Sequence, residues 1–202
     1  MKIILATHNA GKIREFKKVF SDIGWEAVPV AEVTDAPDPE ETGATFEENA
    51  LLKARYYARA TGLPVMSDDS GIIAEALGDR PGVYSARYAG VHGDDEGNNQ
   101  KLVRELAPYT GDERRGRYVC VTAVVWPDGR EVTAEGTCEG IIRDFYKGDG
   151  GFGYDPLFYL PAFGKTMAEL TMEEKNKISH RGRAVKALLK KLKQQGLIED
   201  ER

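Results

Sequence analysis

KIILATHNAGKIREFKKVF, Lys2–Phe20, is the stretch from which the rest of the chain can be read. It opens with the short apolar run KIILAT, which reads as a buried strand. IREFKKVF, Ile13–Phe20, then carries helical periodicity. HNAGK lies between them. A strand, a tight loop and a helix in this order begin an α/β fold. Outward from there, residues 31–44 are rich in Asp, Glu, Pro and Thr and read as a surface loop. Thr45 and Glu48 have capping-box spacing and open the helix FEENALLKARYYARA, which Gly62 and Pro64 end. PVMS reads as a second strand that DDSG terminates, GIIAEAL as another strand or its approach, and RPGVYSARYAG as a turn-rich loop.

Residues 93–106 have a helical pattern with Leu102, Val103 and Leu106 on the buried side. RYVCVTAVVW and REVTAEGTCEGII flank PDG, a hairpin signal. GDGGFGYDPLFYLP is a glycine-rich loop running into an aromatic strand. Thr171 and Glu174 form a further capping box, and the last helix runs from about Ser179 to Gly196. No repeat, linker or low-complexity tract interrupts the chain. The expected organisation is one bilobed domain over 1–196 with a short polar tail over 197–202.

The 202 residues are 41% apolar and 30% charged, the balance of a globular protein with a substantial core. No apolar run approaches the roughly 20 residues of a membrane span. The start, MKIILATHN, turns polar too early for a secretory signal, so the expected location is the cytoplasm and no membrane partner is expected. Cys120 and Cys138 lack metal-ligand spacing and fall in β segments, where they read as small buried residues. The net charge of −5 repels a long polyanion, so no nucleic-acid polymer is expected as a partner. The basic stretch Lys186–Lys193 alternates with leucines and reads as the solvated face of a helix. A small anion held by a few lysines fits this balance.

Five places can carry chemistry, each with a plainer structural reading. THNAGK, Thr7–Lys12, gathers a hydroxyl, an amide, a cation and unpaired N–H groups at a helix N-terminus, which suits phosphate; alternatively it is an ordinary helix cap. It is not a Walker A loop, whose spacing is absent. Asp68 and Asp69 put two carboxylates together, a charge cost that a divalent metal would relieve, or they form an exposed Asp-Asp-Ser-Gly turn. Lys53 falls within the apolar stripe Phe46, Ala50, Ala54 and Tyr57, and needs either an anionic partner or an escape to solvent along its stem. The neighbouring acidic loop, with Asp35, Asp38, Glu40 and Glu41, serves solubility or lends one carboxylate to a metal; periodicity does not choose. GDGGFGYDP offers Phe152 and Tyr154 for stacking on a base, or is a tight turn with core aromatics. In ISHRGR, His180 and Arg181 sit in the first turn of a helix, where a cation opposes the dipole; they meet an anion or a base carbonyl, or face solvent.

Taken together and in order, THNAGK, EETGATFEENALLKA, SDDSG, PGVYSARYAG, GGFGYDP and EEKNKISHRG resemble the inosine triphosphatase-like family of XTP/dITP pyrophosphatases, from Thr7 to about Leu192. No expected functional position departs from the family pattern; His8 occupies a loop site that varies. The resemblance implies a long mixed sheet flanked by helices, in two lobes around a nucleotide-binding cleft, usually as a homodimer. It implies hydrolysis of XTP, ITP and dITP to monophosphate and pyrophosphate. Thr7, His8, Asn9, Ala10, Gly11 and Lys12 would line the triphosphate site, and Lys53 and Ser70 would contact substrate. Glu41 and Asp69 would bind Mg2+. Asp69 would be the base that activates water, with Asp68 beside it and Lys12 and Lys53 stabilising charge. Phe152, Gly153, Tyr154 and Asp155 would hold the nucleoside, and Lys175, His180 and Arg181 would recognise the purine. Two alternatives stay open: a related pyrophosphatase with another base preference, and a nucleotide sensor without turnover.

Overall fold

The structure, a computed structural model, describes residues 1–198. In chain order its elements are β1 (Lys2–Leu5), α1 (Ala10–Asp22), β2 (Glu26–Pro29), α2 (Phe46–Thr61), β3 (Val65–Ala74), β4 (Arg80–Pro81), α3 (Asp95–Glu105), β5 (Arg115–Val125), β6 (Glu131–Ile142), β7 (Phe158–Leu160), β8 (Lys165–Thr166), α4 (Met172–Ile178) and α5 (His180–Gln194). The strands form one eight-stranded mixed sheet in the order β2-β1-β3-β5-β6-β7-β8, with β4 paired to β3. β1 runs parallel to β2 and β3, whereas β4 is antiparallel to β3, and β7 is antiparallel to both β6 and β8.

The chain divides into two compact units, and each takes discontinuous segments. The first comprises residues 1–69, 121–135 and 184 onward; the second comprises 70–120 and 136–183. The first unit is built on the opening strand-loop-helix. Ile3 and Leu5 project from one face of β1 into a core with Phe16 and Phe20 of α1, Val185, Leu188 and Leu192 of α5, and Trp126. Packing continues past Gly196, because Ile198 belongs to this core and Leu197 packs on it; 199–202 lie outside the described residues. α2 lies on the other face of the sheet: Ser67, whose side chain alternates with that of the core residue Met66, donates to the Ala50 carbonyl. Its stripe is as patterned, with Ala50, Ala54 and Tyr57 fully buried. Thr45 accepts from the Glu48 amide, but Glu48 reaches one residue beyond the expected box, to the Ala44 amide at 2.6 Å.

In the second unit, Ile72, Tyr118, Ile142, Phe158 and Leu160 from the sheet pack with Leu102 and Leu106. The expected β5–β6 hairpin forms, and its turn is closed by the Trp126 amide on the Arg130 carbonyl. Both capping groups of the box at Thr171 and Glu174 are present. Cys120 and Cys138 are free, buried thiols. Three readings are corrected. SDDSG does not end a strand, because β3 continues through it to Ala74 and absorbs GIIA. The loop after Pro81 is a short 3-10 helix, Gly82–Arg87. The weakly patterned β2 and the two-residue β4 and β8 are extra strands, stabilised by pairing.

Gly116 of β5 shows how tightly the second unit is filled: a Cβ there would lie 2.5 Å from the Ile73 carbonyl oxygen and 2.7 Å from Ile142 Cδ1. Gly116→Ala is expected to destabilise the fold by about 1–3 kcal/mol through overpacking. Thermal melting checks this, and an unchanged midpoint would show that the strand yields freely.

Candidate active site

The acidic and basic residues near the end of β1 meet because of the pleat of β3. Successive side chains of a strand point to opposite faces. Asp68 follows Met66 onto the face that carries α1, and Asp69 follows Ser67 onto the face that carries α2. The pair therefore meets two different sets of neighbours, although the Asp68 charge still adds to the upward push on Asp69. Asp68 is 2% exposed and its Oδ2 accepts from Lys12 Nζ at 2.7 Å. Lys12 stands in the first turn of α1, where its own amide donates to the side chain of Asn9 at 3.0 Å. Asn9 is thus the N-cap, and Thr7 in turn accepts from the Asn9 amide. The plain cap reading holds for these two side chains, and the loop still presents a helix N-terminus with a lysine beside it. Ala10 and Gly11 form the first residues of that helix; a Cβ on Gly11 would lie 3.2 Å from Asn9 Oδ1. His8 turns to Asp38, at 3.2 Å, and is exposed.

On the other face, Lys53 of α2 pairs with Glu41 at 2.7 Å and donates to the Asp68 carbonyl at 3.3 Å. Its anionic partner is therefore Glu41, while the adjacent Glu40 is exposed. Burial lowers the Lys53 pKa, but the Glu41 and Asp68 charges outweigh it and the net shift is upward, so the ammonium stays charged. The acidic loop is anchored as well: Asp38 accepts from the buried Tyr57 hydroxyl at 2.5 Å.

Asp69 lies on the side of β3 that carries α2. Burial pushes its carboxyl from 3.8 up to about 6, the Glu41 charge adds to this, and Lys53 and the Asn49 amide only partly offset it. Asn49 was not singled out from the sequence. It is fully buried, and its Oδ1 accepts from the Gly43 amide at 2.7 Å, two residues beyond Glu41. It therefore ties the acidic loop to the surroundings of Asp69. The signal was its place on the α2 stripe, three residues after Phe46 and four before Lys53.

The second unit holds another cluster. Asp155, 4% exposed, accepts from the Tyr118 hydroxyl at 2.9 Å, from Lys175 Nζ at 2.5 Å and from the Phe152 amide at 3.2 Å. Lys175 Nζ also stands 5.2 Å from the centroid of the Phe152 ring, which is 60% exposed. Tyr154, by contrast, is a core residue whose hydroxyl donates to the Ser85 carbonyl, so it offers no stacking face. Gly153 is held from both sides by α3, its amide donating to Asp95 and its carbonyl accepting from Asn99. Much of the glycine density answers to the protein itself: a Cβ at Gly148 or Gly150 would lie 2.7 Å from the Ala168 backbone, and one at Gly151 would lie 2.1 Å from Asp155 Oδ2. His180, the first residue of α5, stacks on Tyr118 with centroids 4.7 Å apart. Ser179 caps that helix through the Gly182 amide, and Arg181 follows His180, partly buried. Ser70 follows Asp69 in β3, also partly buried.

The first unit thus presents a helix N-terminus with a paired lysine, a second, half-buried lysine and a carboxyl with a raised pKa on an α/β scaffold, a combination chemically suited to anions. The comparisons narrow this. The chain belongs to the Ham1 family, whose profile matches residues 3–191. A dITP/XTP pyrophosphatase of Thermus thermophilus is 50% identical, covering 96% of this chain and 92% of its own. One of Geobacillus kaustophilus is 51% identical, covering 93% and 92%. Among solved structures, the Ham1 protein of Staphylococcus aureus matches with a TM-score of 0.89 at 43% identity, covering 96% of this chain and all 100% of that one. The HAM1 protein of Coxiella burnetii matches at 0.90 and 40%, covering 96% and 99%.

The raised Asp69 pKa has a stability consequence. With 3.8 as the ordinary value and about 6 in the fold, the unfolded chain loses this proton first as pH rises. Stability therefore falls across that interval and stays lower above it. In metal-free buffer, Asp69→Asn is expected to melt several degrees higher than the parent at pH 7.5, with the gain shrinking toward pH 4. A gain of equal size at both pH values would exclude this origin.

Proposed function

We propose that this chain is a nucleoside triphosphate pyrophosphatase that hydrolyses dITP, ITP and XTP to the monophosphate and pyrophosphate in the cytoplasm. The observation that carries the reading is the sorting of Asp68 and Asp69: the first is bound as the partner of Lys12, and the second keeps a raised pKa beside Lys53. A carboxyl with that pKa is suited to accept a proton near neutral pH. The names of the relatives support the substrate class.

In this reading Lys12 and the N-terminus of α1 bind phosphate oxygens, and Lys53 adds a second fixed cation. Asp69 takes the proton of the water that attacks the α-phosphorus. Asp68 holds Lys12 in place. The residues fit a magnesium ion: Glu41 and Asp69 supply hard oxygen donors whose mutual repulsion a cation would relieve. Among the described residues no three His, Cys, Asp or Glu side chains form a cage, so the substrate would complete the coordination, as magnesium sites usually require. When bound, the ion offsets charge on the phosphate oxygens. Phe152, Asp155, Lys175, His180 and Arg181 serve the base. Donors there favour the keto oxygen of hypoxanthine or xanthine and leave adenine's amino group facing another donor. A homodimer is the assembly this reading expects.

The test is turnover of ITP, XTP, ATP and GTP with and without magnesium, resolving pyrophosphate from phosphate. ITP and XTP are expected to give pyrophosphate and to exceed ATP and GTP, with activity lost in EDTA. Asp69→Asn is expected to lower kcat by at least about 100-fold. Comparable turnover of ATP and ITP, or release of phosphate alone, would overturn the proposal.

A further inference from the structure

The second unit contains one buried side chain that touches two of the residues assigned to the base and that neither the motifs nor the reaction required. Tyr118 of β5 is 6% exposed, and its hydroxyl donates to Asp155 Oδ1 at 2.9 Å. Its ring lies nearly parallel to the His180 imidazole, with centroids 4.7 Å apart and planes 14° from parallel, and it rests against Phe158 at 4.6 Å. The other oxygen of Asp155 gathers Lys175 Nζ and the Phe152 amide. Phe152, Lys175 and Asp155 are therefore one connected group, and Tyr118 joins that group to His180.

We propose that Tyr118 is a positioning residue for base recognition, its hydroxyl fixing the Asp155 carboxylate and its ring fixing the plane of the His180 imidazole. This rests on the reading of His180 and Asp155 as base-recognition residues. Neither role needs Tyr118 to meet the ligand, which its burial prevents. Burial and the neighbouring Asp155 charge both push the phenol well above 10, so the hydroxyl remains a donor. A phenylalanine would fill the same volume and keep the stack, but would leave one oxygen of a buried carboxylate without this donor. A buried hydrogen bond to a charged group is costly to lose on one side only. Ring stacking sets the imidazole plane, and because a ring N–H points along that plane, the stack also sets the direction in which His180 can meet a base edge.

Two variants separate the two contacts. Tyr118→Phe keeps the ring and removes the hydroxyl; Tyr118→Leu removes both. With Tyr118→Phe, KM for ITP is expected to rise about tenfold, as loss of one such bond implies, while kcat stays within about twofold. Its preference for ITP over ATP should fall in proportion. Tyr118→Leu should raise KM further and should also remove the upfield displacement of the His180 ring protons that a stacked tyrosine produces in NMR spectra. Tyr118→Phe should retain that displacement. His180→Ala is the control. If it lowers the preference while both Tyr118 variants keep the parent's KM and preference and change only the melting temperature, Tyr118 is a core residue and this inference is overturned alone. If His180→Ala leaves KM and preference intact, the base-recognition reading itself is overturned.

Discussion

The alternation of side chains along β3 governs the chemistry of the first unit. Two adjacent carboxylates in solution would repel each other and titrate together. In a pleated strand they leave by opposite faces and meet different company. Asp68 meets Lys12, whose Nζ donates to it at 2.7 Å, and is 2% exposed. Asp69 meets the α2 face, where Glu41 adds to the burial cost and Lys53 relieves only part of it. One strand thus gives two identical side chains different surroundings without any difference in covalent chemistry. Each of the two lysines has a carboxylate at 2.7 Å, and an ammonium with three N–H donors can still reach a ligand.

The second unit applies the same economy to a single carboxylate. Asp155 accepts from a phenol, an ammonium and a backbone amide, which together define its orientation. The glycines around it are required because the loop runs against the Ala168 backbone and against Asp155 itself. Loop shape and carboxylate orientation therefore depend on each other. Phe152 is the exception, a large ring left 60% exposed at the centre of an otherwise well-bonded loop.

Much of this was legible in the sequence, for identifiable reasons. Lys2–Phe20, the hairpin around PDG and the caps at Thr45 and Thr171 are local signals, and local physics decides them. The stripe of α2 marked Lys53 as a cation that needs either an anionic partner or an escape to solvent, and the structure supplies Glu41. Periodicity did not distinguish Glu41 from Glu40; in the structure it is Glu41 that pairs with Lys53, and only such contacts, distant in sequence, separate the two. SDDSG misled because its composition is that of a turn, while pairing with neighbouring strands held it extended. β2, β4 and β8 span only two to four residues, too few for a period to register. Asn49 and Tyr118 went unremarked because an amide beside glutamates and an aromatic in a strand look ordinary until their partners, distant in sequence, are in place.

The threading of the chain has a consequence for how the molecule comes into being. It passes from one unit to the other after residues 69, 120, 135 and 183, so neither core is encoded by a continuous segment. The pocket of apolar side chains that Phe16 and Phe20 begin is closed by Val185, Leu188 and Leu192. During synthesis those phenylalanines have left the ribosome long before their partners exist. The nascent chain must carry that exposed surface until α5 has been made. A premature stop anywhere before α5 would therefore yield an aggregation-prone fragment and no partly working enzyme.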